Sequence, residues 1–214
     1  MKSLTTTRRN TAPTAAPVEP RAALPAPLTD TRAAEIVLAA ERFTSRPEIA
    51  ECIFAGSNGA VARLPACLDR RLDLIATWPD TNRCLTFAAQ IERALSCPAR
   101  AEDVAAAVAA TLRMFPTGDR AGLGFSEGIA AFVSEECATR GWSMAAVTGG
   151  LIAVIRSSRF LPAVAEIVDA IAQAHRDLRH TAWAARQAAE LAHELRWSLE
   201  DAGLIDFEPG EEGF

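Results

Sequence analysis

The sequence predicts an all-α fold: a multi-helix bundle with a long C-terminal helix, behind a disordered N-terminal tail. Three observations predict it. Half of the 214 residues are hydrophobic, yet Tyr is absent and aromatics are few, so the apolar mass is mostly Ala, Leu, Val and Ile. Ala is the strongest helix former. Apolar residues recur at spacings of three, four and seven, the period of an amphipathic helix, and no stretch shows the alternation of a half-buried strand. No internal repeat is visible.

Residues 1–30 read as a disordered tail rich in Pro, Thr and Ala. It is Arg-bearing and poor in acids, as a transit peptide would be, but five prolines by residue 27 break any amphipathic helix. Residues 31–100 read as an N-terminal helical region. Asp30 or Thr31 can cap a helix carrying Ile36, Val37, Ala40 and Phe43. Ser45 with Glu48 has the form of a capping box, with Pro47 inside the first turn. The short helix it starts ends at AGSNGA, residues 55–60. Pro65 opens a third helix with Leu68, Leu72 and Ile75 on one face, and TWPDTN (77–82) stops it. A fourth carries Phe87, Ile91, Ala94 and Leu95 and ends at Cys97-Pro98.

Residues 101–202 read as a second helical module. Val104, Val108, Leu112 and Phe115 stand at helical spacing, with Glu102 and Asp103 at the positive end of the helix dipole. PTGDRAGLG (116–124) is a loop, and Ser126 is placed as the cap of a helix burying Ile129, Phe132, Val133 and Cys137. Gly141 suits the left-handed position after that helix. Ser143 caps the next, which carries Val147, Leu151, Val154 and Ile155. Gly149-Gly150 inside it implies close helix contact or a kink. At SSRFLPAVAEI (157–167) the sequence reads as a tight joint: Pro162 at the first helical position, Phe160 folded back as a hydrophobic staple. From Pro162 to about Ala202 nothing breaks the pattern of Ile167, Ile171, Leu178, Leu191, Leu195 and Leu199. About 40 helical residues span roughly 60 Å. The distal part is therefore expected to project or to pair with another chain, with Trp183 and Trp197 as core anchors or partner-facing hot spots. Residues 203–214 form a short acidic tail.

Charge and chemistry exclude several function classes. The net charge is −5, divided as +3 over residues 1–32 and −8 over the rest. A body of that sign repels phosphate, so nucleic-acid binding is confined to the tail or a local Arg cluster. A DNA-reading helix after the joint would need polar, basic residues, and Ala163 to Asp169 are apolar and acidic. Five Cys at 52, 67, 84, 97 and 137 have no metal-ligand spacing and read as reduced, mostly buried thiols of a cytoplasmic protein. No apolar run reaches the roughly 18 residues of a membrane span. GFSEG (124–128) matches the nucleophile-elbow pattern, but that turn needs a strand before the Ser. His175, His180 and His193 have no i, i+4 partner for zinc and read as a solvated helix face. No catalytic residue, cofactor or metal site is expected.

The order of elements carries a resemblance. A helix ends in Phe115-Pro116; a loop and a helix follow; then come Gly141-Trp142, a helix with Val147 and Leu151-Ile152, a small and basic stretch ending at Arg159, and finally Phe160-x-Pro162 and Glu166-Ile167. This resembles small helical phage DNA-replication accessory proteins, the loaders and inhibitors of replicative helicases, and more loosely the replication P-type loaders. It spans about residues 101–172, with Trp142, Phe160, Pro162 and Glu166 matching. Residues 31–100 and the helix beyond Ile171 lie outside it. The resemblance implies a non-enzymatic protein that binds a replicative helicase or proteins at an origin, with Trp142, Arg159, Phe160, Pro162 and Glu166 as the organising, partner-binding motif and the tail Glu208 to Phe214 as a further contact. Two other readings stand beside it: a scaffold self-associating as a homo-oligomer through its long helix, and a DNA-binding regulator using the basic tail with Arg156 and Arg159.

Overall fold

A computed structural model describes residues 32–53, 62–115 and 123–205. The expected cap at Asp30 or Thr31, both terminal tails, the break at 55–60 and most of the loop at 116–124 lie outside the described residues. Among those described there are eight helices and no strand: α1 (Arg32–Thr44), α2 (Pro47–Ile53), α3 (Leu68–Thr77), α4 (Thr81–Leu95), α5 (Ala101–Leu112), α6 (Leu123–Arg140), α7 (Met144–Ser157) and α8 (Val164–Asp201). The fold is all-α, as the apolar periodicity predicts.

Helix α8 is the spine. Its 38 residues rise about 57 Å at 1.5 Å each. It does not project. Its first half carries Ile167, Val168 and Ile171 into a core with Val104, Val108 and Leu112 of α5, Ile129, Val133 and Cys137 of α6, and Val147 and Leu151 of α7. Its second half carries Ala184, Ala185, Ala188, Ala189, Leu191, Leu195 and Leu199 into another core, with Phe43, Ile49, Ile53, Leu74, Cys84 and Ala88 of α1 to α4. Between them Leu178 and Ala182 meet Ile36, Ala40, Ile91 and Ala145. The expectation of a projecting distal helix fails because the N-terminal region supplies the apolar face that this half needs. Trp78 seals the contact by donating its indole N–H to the Ala188 carbonyl at 2.9 Å, and Arg186 grips Glu92 with two hydrogen bonds.

The helix ends follow the local cap and stop signals in some places and not in others. Ser143 accepts the Ala146 N–H at the start of α7. Gly141 takes φ +64° while the Trp142 N–H reaches back to the Cys137 carbonyl at 3.0 Å, which closes α6 as glycine after a helix does. Asp80 is a cap rather than part of a stop: its carboxylate accepts the Arg83 N–H at 2.8 Å. Ser45 forms no capping box, since its hydroxyl donates to the Arg42 carbonyl and Glu48 is taken by Arg46. Ser126 is no cap, because α6 already begins at Leu123. The third helix starts at Leu68, three residues after Pro65, and turns Leu74 inward while Leu68 is 40% exposed.

Candidate protein-interaction surfaces

The joint between α7 and α8 separates the five motif residues into two groups. Pro162 and Glu166 build it, and Trp142 builds the turn at the opposite end of α7. Trp142 is buried, its carbonyl accepts the Ala99 N–H at 2.9 Å, and the Arg140 guanidinium lies 4.9 Å from its ring centre. These bonds pin the α4–α5 turn to the α6–α7 turn. Pro162 is buried but precedes the helix, whose N-cap is Ala163; it is not the first helical residue. Ala has no side-chain acceptor, so the cap is one-sided: the Glu166 carboxylate accepts the Ala163 N–H at 2.8 Å.

Phe160 and Arg159 form the other group. Phe160 is 78% exposed, so the expected staple is not made. Leu161 and Val164 pack on the core in its place; with Pro162 held inward, the chain turns the Phe160 side chain to solvent. Arg159 is exposed beside it. Arg156, one turn earlier, is spent on Glu41 of α1, which leaves half of the expected Arg156/Arg159 patch neutralised.

Two further surfaces were missed in the sequence. Phe132, placed inward by spacing, is half-exposed, as is Phe125; the two are seven apart and share a face of α6. Ile129, Val133 and Cys137 of the same expected set are buried. Phe125 and Phe132 recur at helical spacing just as the buried set does, so spacing alone could not choose between them. The second surface is a groove of about 560 Å³ between α1 and the α3–α4 turn. Phe43, Trp78 and Phe87 are its aromatic walls, and Arg42, Arg46, Arg83 and Asp80 stand around it. Cys84 also lines it, but burial pushes that thiol up to about 11, so it is protonated and a poor nucleophile at neutral pH. The only signal of this groove in the sequence was Trp78-Pro79-Asp80, read as a helix stop.

The remaining chemistry is quiet. Ser126 lies within a helix with no strand before it among the described residues, which is not nucleophile-elbow geometry. His180 stacks on Trp183 with ring centres 5.3 Å apart, His193 is exposed, and His175 is half-buried. Cys52, Cys84 and Cys137 are buried, Cys67 and Cys97 exposed, and all five are free thiols. Among the described residues no His, Cys, Asp and Glu cluster could hold a metal ion, and no helix is long and apolar enough to cross a membrane. No family model, curated protein or solved structure matches the chain.

Proposed function

We propose that this is a non-enzymatic accessory protein of phage or prophage DNA replication, working in the cytoplasm through protein–protein contacts, with a replicative helicase as its partner. The observation that supports partner binding is Phe160, 78% exposed on a joint held by the Glu166 cap and by buried Pro162. A large aromatic on a fixed turn is preorganised, so little backbone ordering is lost when it enters a pocket. Aromatic and Arg side chains are the usual anchors of such contacts, and Arg159 stands next to it. The replication part rests on the resemblance over residues 101–172. DNA has a secondary role at most in this reading, because the body is acidic and Arg156 is paired with Glu41.

The test is light scattering after size exclusion, on the protein alone and mixed with its host's replicative helicase. The expected result is a stable co-eluting complex that Phe160→Ala weakens at least tenfold, with helix content and thermal midpoint unchanged. No complex, or one indifferent to Phe160→Ala, sinks the proposal. The scaffold reading is favoured by a different observation: Phe125, Phe132 and Trp197 are each at least 50% exposed. A concentration-dependent homo-oligomer without a helicase complex would select it.

A further inference from the structure

The groove between α1 and the α3–α4 turn combines two features, of which the groove around Arg32, Arg93 and Arg100 has only the cationic one. Its walls are aromatic, from Phe43, Trp78 and Phe87, and its rim is cationic. Arg46 is engaged, bonding Glu48 at 2.6 Å and the Thr77 carbonyl at 2.7 Å. Arg42 and Arg83 are exposed and form no ion pair among the described residues. Asp80 is the single acid lining the groove, and its carboxylate already accepts the Arg83 backbone N–H. An occupant that satisfies such a surface carries carboxylates beside an aromatic ring. The comparable groove between α1, α7 and α8 has Glu41 and Asp177 among small residues such as Ala40, Gly149 and Ala153, and no Arg lines it.

The chain carries a segment of that chemistry. Residues 206–214, DFEPGEEGF, hold four acids, no base and two Phe. The N-terminal 31 residues hold four bases against two acids and would be repelled. The acidic segment follows Ile205, which packs on the same core cluster as Phe43, Trp78 and Phe87. Reach is sufficient. From Ala188, bonded to Trp78 at the groove's edge, α8 rises about 20 Å to Asp201. Nine extended residues cover about 30 Å.

We infer that this groove is the seat of the chain's own acidic segment, with Glu211 and Glu212 meeting Arg42 and Arg83 and Phe214 lying against Phe43, Trp78 and Phe87. While seated, the segment is closed to other proteins and the groove is closed to other acidic peptides. The inference does not depend on what Phe160 binds.

The test uses full-length chains and a fluorescein-labelled peptide of residues 203–214, read by anisotropy. Glu211→Lys/Glu212→Lys frees the groove, so the peptide should bind that chain at least tenfold more tightly than wild type, and less tightly as salt rises. Adding Arg42→Glu/Arg83→Glu, both at exposed positions, should abolish the gain, and a peptide carrying the same two Lys should bind the groove variant instead. Equal binding by wild type and the tail variant, or a gain that survives the groove substitutions, overturns the inference. So does a wild-type dimer at micromolar concentration that the tail variant dissolves, since the occupant would then be the segment of a second copy. None of these outcomes touches the Phe160 test.

Discussion

The two halves of α8 achieve close packing in opposite ways. At the closest approach in the first half the bulk is on α8, at Ile171, and the small residue, Gly150, is on α7, whose Val147 and Leu151 share the same core. A Cβ on Gly150 would stand 2.6 Å from the Ile171 backbone nitrogen and Cα. In the second half, over residues 184–189, α8 supplies the small residues, Ala184, Ala185, Ala188 and Ala189, against Phe43, Ile49, Ile53 and Leu74 on the shorter helices, and adds bulk of its own only from Leu191 onward. Two helices approach as closely as the summed side chains at their contact allow. Which partner carries the small residue is free. The two choices fail differently, however: a backbone in the way cannot rotate aside, whereas a neighbouring side chain can.

Gly150→Ala breaks the first arrangement and should have the largest effect. Its obstacle is backbone of α8, so one of the two helices must shift. Overpacking of this kind outweighs the roughly 1 kcal/mol of helix propensity gained, for a net loss of about 3 kcal/mol. Gly149→Ala is the internal control. Its Cβ would meet the Ala174 Cβ at 3.0 Å and Val37 Cγ2 at 3.5 Å, contacts that a few tenths of an ångström relieve, so gain and loss should nearly cancel. Urea denaturation of the two variants checks this, and equal midpoints would mean that the α7–α8 contact is looser than the structure has it.

Ala188→Leu tests the second arrangement and should cost less, about 2 kcal/mol. Ala188 is fully buried and its carbonyl takes the Trp78 indole N–H. The surrounding bulk is mobile at the side-chain level, so part of the strain relaxes by rotamer change, with Trp78 displaced. The expected result is a lower urea midpoint together with a shifted Trp emission. A loss as large as that of Gly150→Ala would remove the distinction between the halves.

The same contrast explains what was legible in the sequence. Helical periodicity gave the eight-helix pattern and the unbroken α8, because every turn of these helices repeats the signal. Gly141 and Ser143 were legible because each acts within its own turn of chain. The inward faces of α3 and α6 were partly misread. Leu68 and Phe132 satisfy the same spacing as their buried neighbours, and only the position of other helices turns them outward. The packing of the distal half of α8 was not legible for a related reason: nothing local to residues 184–199 says that residues 43–88 will cover them. Of the motif, Glu166 and Pro162 were recognisable as joint-building residues. The exposure of Phe160 was not, since a staple and an outward ring have the same sequence. The Arg42–Arg83 groove brings together residues 41 positions apart and left no spacing to find.

The smallest expected effect lies where the two halves meet. His175 sits between Ile171 and Leu178, half-buried, with no hydrogen-bond partner for its Nδ1 among the described residues. Burial, then the nearby Arg179 and Arg176, hold its pKa below the usual 6.5. The folded imidazole therefore stays neutral at pH values where the unfolded one is protonated. The unfolded state binds the extra proton, so stability falls as pH drops through about 6.5 toward the lower folded value, and is independent of this group above that range. His175→Asn removes the titration and leaves the carboxylates common to both proteins. Between pH 7.5 and pH 5.5 the wild type should lose slightly more stability in urea than His175→Asn, by less than Gly150→Ala or Ala188→Leu costs. If the two lose the same amount, His175 is hydrated in solution, and the cover over α8 is open at the point where its two packing schemes exchange roles.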